Sequence, residues 1–358
     1  MLGVTKVCGT CSHLSQPFVL GPGGSKNKNP GLLKKQRTSP KGHEEEKWLP
    51  LPKLGFGTFI GVENNRIDDL AQRKKVVIDA VDCALRTGYR CLDVACAYNN
   101  QRTVAEGIKK GMQEASISRS QLYMIGKGNS ARDVKRTITE LFSCAEEEIG
   151  KDGNYLDLFL WHHPEADLSM LSRPGAINCS AAGVWKSLDA CKKKGWVRNI
   201  GVSNVYLHGL RHLMQFAKSH HLAVPYANEV EIHLWNQEPD LVLMCHIYNV
   251  KVIAYCPLGY NLAEILLETG EVKDMVSVIS KEKKVSAAEI LLAYTMQRGI
   301  TVIPSSRNKD HIQSNFNSHT ISLSKQQMGR LAALNTNNTA TSTAQRYREK
   351  DKAYKHPA

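Results

Sequence analysis

Leu122-Tyr123-Met124-Ile125-Gly126-Lys127 is a short apolar run that stops on a lysine, and shortly after it Ser130-Ala131-Arg132-Asp133 opens a different pattern. A serine with an acid three positions on is a helix-start signal, and the acid is favourable near the positive end of the helix dipole. Val134, Ile138, Leu141, Phe142, Ala145 and Ile149 then follow a 3.6-residue period. The stretch therefore predicts a strand followed by a helix. Outward from it, the same unit recurs. Strand-like runs occupy Leu54–Thr58, Arg90–Val94, Leu156–His162, Val197–Val202, Ala227–Glu231, Lys251–Tyr255 and Thr301–Ile303, which makes eight in all. Helical patterns lie between them, for example Lys75–Arg86 ending at Gly88, Trp185–Lys194 and Ser286–Gln297. Strand and helix alternating eight times predicts an α/β fold, a closed (β/α)8 TIM barrel, with its active site at the C-terminal strand ends.

Composition agrees. The chain has 358 residues, 42% hydrophobic and 23% charged, which is the balance of a globular protein. No run approaches the roughly 18 apolar residues of a membrane span. The ten cysteines are scattered and read as reduced thiols of a cytoplasmic protein. The net charge of +13 suggests a nucleic-acid or membrane role, but its distribution argues against both. Residues 1–47 carry +5 and residues 341–358 carry +3, leaving only +5 for the 293 residues between. Residues 1–47 are predicted to be a disordered basic extension, since they bury too little to offset their ordering entropy. Residues 48–335 are the expected barrel and residues 336–358 a polar C-terminal loop or tail. Cys8-Gly9-Thr10-Cys11 has C-x-x-C spacing without a second pair or a strand–helix context, so no metal site is assigned. The expected compartment is the cytoplasm, with organellar addressing by the extension as the alternative, and the expected state is a monomer.

The strand ends carry the chemistry. Asp93 and Tyr98 follow the second strand, Lys127 the third, His162 and His163 the fourth, Ser203 and Asn204 the fifth. Glu229 and Glu231 lie in the sixth, and Tyr255 and Cys256 at the end of the seventh. A lysine closing an apolar strand needs a carboxylate, because burying an unpaired ammonium is expensive, and Asp93 supplies one. A phenol, with a reference pKa of about 10, is a poor acid at neutral pH unless a cation stabilises its phenolate. Tyr98 beside Lys127 is thus read as a proton donor to a carbonyl oxygen, with His162 orienting that oxygen. Nothing in the set supplies a hydride, which requires a nicotinamide cofactor.

From about Leu51 to Asn335 the chain resembles the aldo-keto reductases, and within them the aldose and aldehyde reductases. The segments that carry the resemblance are Leu54-Gly55-Phe56-Gly57-Thr58, Gly88-Tyr89-Arg90-Cys91-Leu92-Asp93 with Ala97-Tyr98, and Tyr155–Pro164. They continue with Ile200-Gly201-Val202-Ser203-Asn204, Ala254-Tyr255-Cys256-Pro257-Leu258-Gly259, Val302-Ile303-Pro304-Ser305-Ser306, and Asn315. The resemblance implies a (β/α)8 barrel that reduces aldehydes, ketones or sugars with NADPH, NADH being the alternative. It implies a catalytic tetrad of Asp93, Tyr98, Lys127 and His162. Cofactor contacts are implied at Asp93, at Ser203, Asn204 and Glu229 on the carboxamide, and at Tyr255 stacked on the ring. Cys256 and Leu258 lie where the pyrophosphate runs, and Ser306, Arg307, Asn308, His311 and Asn315 in the adenosine-phosphate region. Phe59, His162 and His163 are the implied substrate contacts.

Several positions depart from the family pattern. Glu229 replaces a usual glutamine, and a carboxylate accepts hydrogen bonds but donates none. Ser305 and His311 replace cations that normally meet the 2′-phosphate of NADP, with Arg307 as the available substitute. Phe59 and His163 replace tryptophans, so the pocket is expected to be more polar on one side. The alternative reading is a cofactor-binding regulatory or structural protein on the same barrel, like the potassium-channel β subunits.

Overall fold

The computed structural model describes residues 49–60, 69–164, 166–259, 270–337, 339 and 341–353. The extension over residues 1–47, with its C-x-x-C pair, lies outside the described residues. Among them are eight strands: β1 (Phe56–Gly57), β2 (Cys91–Asp93), β3 (Tyr123–Gly128), β4 (Leu156–Trp161), β5 (Val197–Ser203), β6 (Ala227–Glu231), β7 (Lys251–Tyr255) and β8 (Thr301–Val302). They pair in parallel in sequence order. The sheet curls until its ends meet, since Leu54 bridges Val302 and the backbone N–H of Gly55 donates to Val302 O at 2.9 Å. The expected α/β barrel is the observed fold.

Helices link the strands: α1 (Leu70–Thr87), α2 (Gln101–Glu114), α3 (Ala131–Phe142), α4 (Ser180–Lys193), α5 (Leu207–Ser219) and α6 (Pro239–Ile247). They continue with α7 (Gly270–Lys283), α8 (Ala287–Gln297), α9 (Lys309–Asn317), α10 (Lys325–Ala332) and α11 (Ser342–Ala353). The local signals explain several boundaries. Ser130 caps α3 through the backbone N–H of Asp133, and Ser286 forms a full capping box with Glu289 at the start of α8. Gly88 ends α1 at φ +124°, a conformation open to glycine; an added Cβ would also meet the Phe316 ring at 2.6 Å. Two expectations are corrected. The period that ran on to Ile149 breaks at Phe142, where Ser143 turns left-handed at φ 50°. The stretch expected as a C-terminal loop contains the helix α11.

Parallel strands covered by helices are buried on both faces, which is why they read as continuous apolar runs. The core of the described residues has three parts. One gathers strand and helix side chains between sheet and helices, a second packs α7, α8 and α10 around Leu234 and Trp235, and the third fills the barrel with Cys91, Tyr123, Ile125, Leu158, Leu160, Ala227, Ile253 and Ile303. The two-residue alternation of a strand then continues this inward face toward the C-terminal ends. One step beyond Cys91 is Asp93, beyond Ile125 is Lys127, beyond Leu160 is His162, beyond Ala227 is Glu229 and beyond Ile253 is Tyr255. The barrel is apolar below and chemical on top.

Candidate active site

Lys127 is the centre of that upper layer. It is fully buried, and its Nζ donates to Glu229 Oε1 at 2.8 Å and to Asp93 Oδ2. Asp93 and Glu229 are themselves 1% and 2% exposed. Neighbouring backbone holds Asp93 in place: Thr58 donates to its carbonyl oxygen from both N (3.0 Å) and Oγ1 (2.8 Å). Tyr98 sits in a single helical turn, Cys96–Tyr98, that brings its half-buried ring beside the lysine, with Nζ 5.2 Å from the ring centroid. His162 meets the same ring edge-on at 5.9 Å, and Phe59, 40% exposed, packs on it at 5.1 Å.

Electrostatics sort these groups by role. Burial pushes the Lys127 site toward neutrality, but the two carboxylates outweigh it and hold the ammonium well above its usual range. Burial raises the Tyr98 phenol, the facing carboxylates raise it further, and Lys127 pulls it down. The net direction is upward, which corrects the expectation that the ammonium would leave the phenol below its ordinary value. Desolvation, then the Lys127 charge and His163, push His162 down to about 2, so its ring is neutral at ordinary pH.

The residues expected on the cofactor side form a second group. Ser203 Oγ donates to Glu229 O at 3.0 Å. The Asn204 amide donates to His162 O at 3.0 Å and accepts from the Tyr255 hydroxyl at 2.8 Å. Cys256 follows in a left-handed conformation (φ 46°), its thiol pushed up to about 12 by burial, with Leu258 half-buried beyond it. On the far side, Ser306 is half-buried, Arg307, Asn308 and His311 are exposed at the start of α9, and Asn315 is buried within it. The donor set fits a nicotinamide dinucleotide. Glu229 Oε2 and Asp93 Oδ1 are buried acceptors with no hydrogen-bond partner among the described residues, and Arg307 is an exposed cation at a helix N-terminus.

A residue that the sequence reading placed in a tail also reaches the site. Tyr347 of α11 is 3% exposed and stacks on His163 at 6.1 Å, and His163 stacks on His162 at 3.9 Å. An aromatic between two arginines was visible in the sequence, but nothing local said what it would stack on.

The sequence model described as the Aldo/keto reductase family matches residues 53–336. Aldose reductase B of Dictyostelium discoideum is 28% identical over 300 residues, spanning 80% of this chain and 90% of that protein. The 9,11-endoperoxide prostaglandin H2 reductase of Trypanosoma cruzi is 31% identical over 287 residues, spanning 80% and 88%. The crystal structure of an aldo-keto reductase from a Medee basin deep-sea metagenome library superposes with a TM-score of 0.63 at 26% identity, covering 81% of this chain and 94% of that one. With the eight-stranded barrel, these matches establish that the chain belongs to the aldo/keto reductase family and so to its NAD(P)H oxidoreductases that reduce carbonyls.

Proposed function

We propose that the protein reduces aldehyde or ketone carbonyls, sugars among them, with NADPH as the preferred donor and Tyr98 as the general acid. The observation that carries this is the packing of the Tyr98 phenol against the Lys127 ammonium with His162 at the ring edge, on the barrel face where TIM-barrel chemistry occurs. When bound, a reduced nicotinamide supplies the hydride. This chain's own groups handle the oxygen. Neutral His162 orients the carbonyl by a hydrogen bond, and as an alkoxide develops Tyr98 gives up its proton to it. A phenol held above its ordinary range stays protonated through physiological pH, as a donor must, and an alkoxide is basic enough to take the proton. Lys127 then faces the phenolate and stabilises it. His162 is excluded as the acid, because burial leaves it no second proton to give.

NADPH is favoured over NADH by Arg307 beside Ser306 and Asn308, where a guanidinium and a helix N-terminus suit a phosphate. The groups expected to meet the carbonyl, Phe59 and His163 with Tyr347 stacked behind it, suit small or polar carbonyls. Tyr98→Phe tests the assignment. Turnover should fall by roughly 10²–10⁴-fold, while tryptophan fluorescence still reports cofactor binding. Near-normal reduction by that variant would remove Tyr98 from the role. Cofactor binding by the unaltered protein without turnover on a broad carbonyl panel would favour a regulatory protein instead.

A further inference from the structure

Glu229 turns a two-member charge pair into a three-member one. One buried ammonium, Lys127, serves two buried carboxyls, and each of those carboxyls has a second oxygen with no partner among the described residues. The other titratable groups facing this cluster are Tyr98 from the turn after β2, His162 from the end of β4, Cys91 from β2 and Cys256 from the end of β7. None of the four supplies a second cation. His162 is neutral, the phenol is held protonated, and burial lifts both thiols above their ordinary range. With both carboxyls ionised, a net negative charge would sit in a medium that solvates it poorly. Two acids that crowd one site release their protons in separate steps, the second delayed.

We propose that Asp93 and Glu229 share a single proton around Lys127 at neutral pH, and that this proton lets Glu229 hold a nicotinamide carboxamide as an amide side chain would. A carboxylic acid offers one O–H donor and one C=O acceptor, whereas a carboxylate only accepts. The carboxamide carries both an acceptor oxygen and donor hydrogens, so only the protonated pair matches it on both counts. Glu229 acts here as a positioning residue whose competence depends on pH. Consistent with the geometry, burial and then the Glu229 carboxylate push the Asp93 carboxyl up to about 8. The second half of the proposal rests on the nicotinamide reading given above; the shared proton does not.

Two measurements separate them. Infrared spectra of the cofactor-free protein should show a protonated-carboxyl C=O stretch at about pH 7 that fades toward about pH 10 and is missing from Glu229→Gln; no difference between the two proteins would overturn the shared proton. Tryptophan-fluorescence titrations with NADPH, and with NADH because it lacks the titrating 2′-phosphate, should show affinity falling by up to tenfold per pH unit above the pair's titration, the limit for one proton. Glu229→Gln should bind both cofactors with a flat profile over the same range. Parallel pH profiles for the two proteins would overturn the role in cofactor hold. Failure of the unaltered protein to bind either cofactor at any pH would overturn the nicotinamide reading itself, and the infrared band then decides the proton alone.

Discussion

Lys127 does two things with one charge: it pairs with two buried carboxyls and it faces the phenol. Its effect on stability has a definite sign with pH. A lysine whose folded pKa lies above its unfolded value contributes stability that is fully present below the unfolded pKa and is lost as pH rises through the folded one. Asp93 runs the same way over a lower pH window, because its carboxyl is also raised in the fold. The folded state binds that proton more tightly, so stability declines as pH rises from about 4 toward about 8. Lys127→Met should therefore cost about 3–5 kcal/mol at pH near 8, the usual cost of stranding a buried charge. It should cost clearly less at pH near 5, where both carboxyls can take up protons. Urea unfolding at the two pH values measures this, and an equal loss at both would show that charge balance is not what the lysine supplies. At this scale the sequence is informative wherever residue type clashes with position. A lysine closing an apolar strand demands a carboxylate, and Asp93 answers it. That Glu229 would answer too was hidden, because the contact crosses from β3 to β6, strands with two others between them in the sheet order.

Helices were legible where their ends carry chemistry. Ser130 with Asp133 marked an N-terminus that the structure places there, and the pattern read over Ser286–Gln297 starts at the residue that caps the helix. α11 was not legible, for a specific reason. Among its described side chains the buried ones are Ala344, Tyr347 and Asp351, a helical stripe in which an acid takes one of three places. A pattern search for apolar residues sees only two. Asp351 is buried because its carboxylate caps α5, accepting from the backbone N–H groups of His208 (3.1 Å) and Gly209 (2.6 Å). The far anchor is Arg348, which donates to Asn236, Glu238 and, at 2.8 Å, to Asn337 O. Thr341 N donates to the buried Glu231 at 3.0 Å. Arg348→Ala should release this anchor at a cost of about 1–3 kcal/mol, since charge-assisted bonds are lost and Glu238 keeps a half-sheltered charge. Amide hydrogen exchange should quicken across residues 342–353, and KM for the carbonyl should rise more than kcat falls, because Tyr347 stacks on His163, a proposed substrate contact. Unchanged protection in that segment would mean that Asp351 and Tyr347 hold α11 without the arginine.

For the molecule as a whole, the barrel was readable because each strand is buried on both faces and so spells itself out as an apolar run, eight times in order. Closure was expected from the eightfold repeat, but its register, Leu54 on Val302, was not readable, since it depends on backbone bonds that no side-chain pattern records. The charge of +13 also resolves at this scale. Several cations of the barrel are tied to acids, Arg119 and Arg198 to Asp157, Lys110 to Asp82 and Lys193 to Asp189, whereas residues 1–47 alone contribute +5. Every strand, the β1–β8 closure and the whole of the candidate site lie within residues 49–353. A chain beginning at Trp48 thus keeps all of the elements that position Asp93, Tyr98, Lys127 and His162, while its net charge drops to +8. Such a chain should unfold in one transition with a Tm within about 2 °C of the full-length protein, less than about 1 kcal/mol in a domain of this size. Its kcat/KM for a neutral aldehyde should match the full chain's, because the proposed catalytic groups and their supports are unchanged. Any charge-driven adsorption to anionic matrices should weaken, and more so at low salt, where exposed charges act over longer distances. Loss of folding or of turnover on this deletion would mean that the extension belongs to the barrel's core or to its site, and the boundary at residue 48 would have to be abandoned.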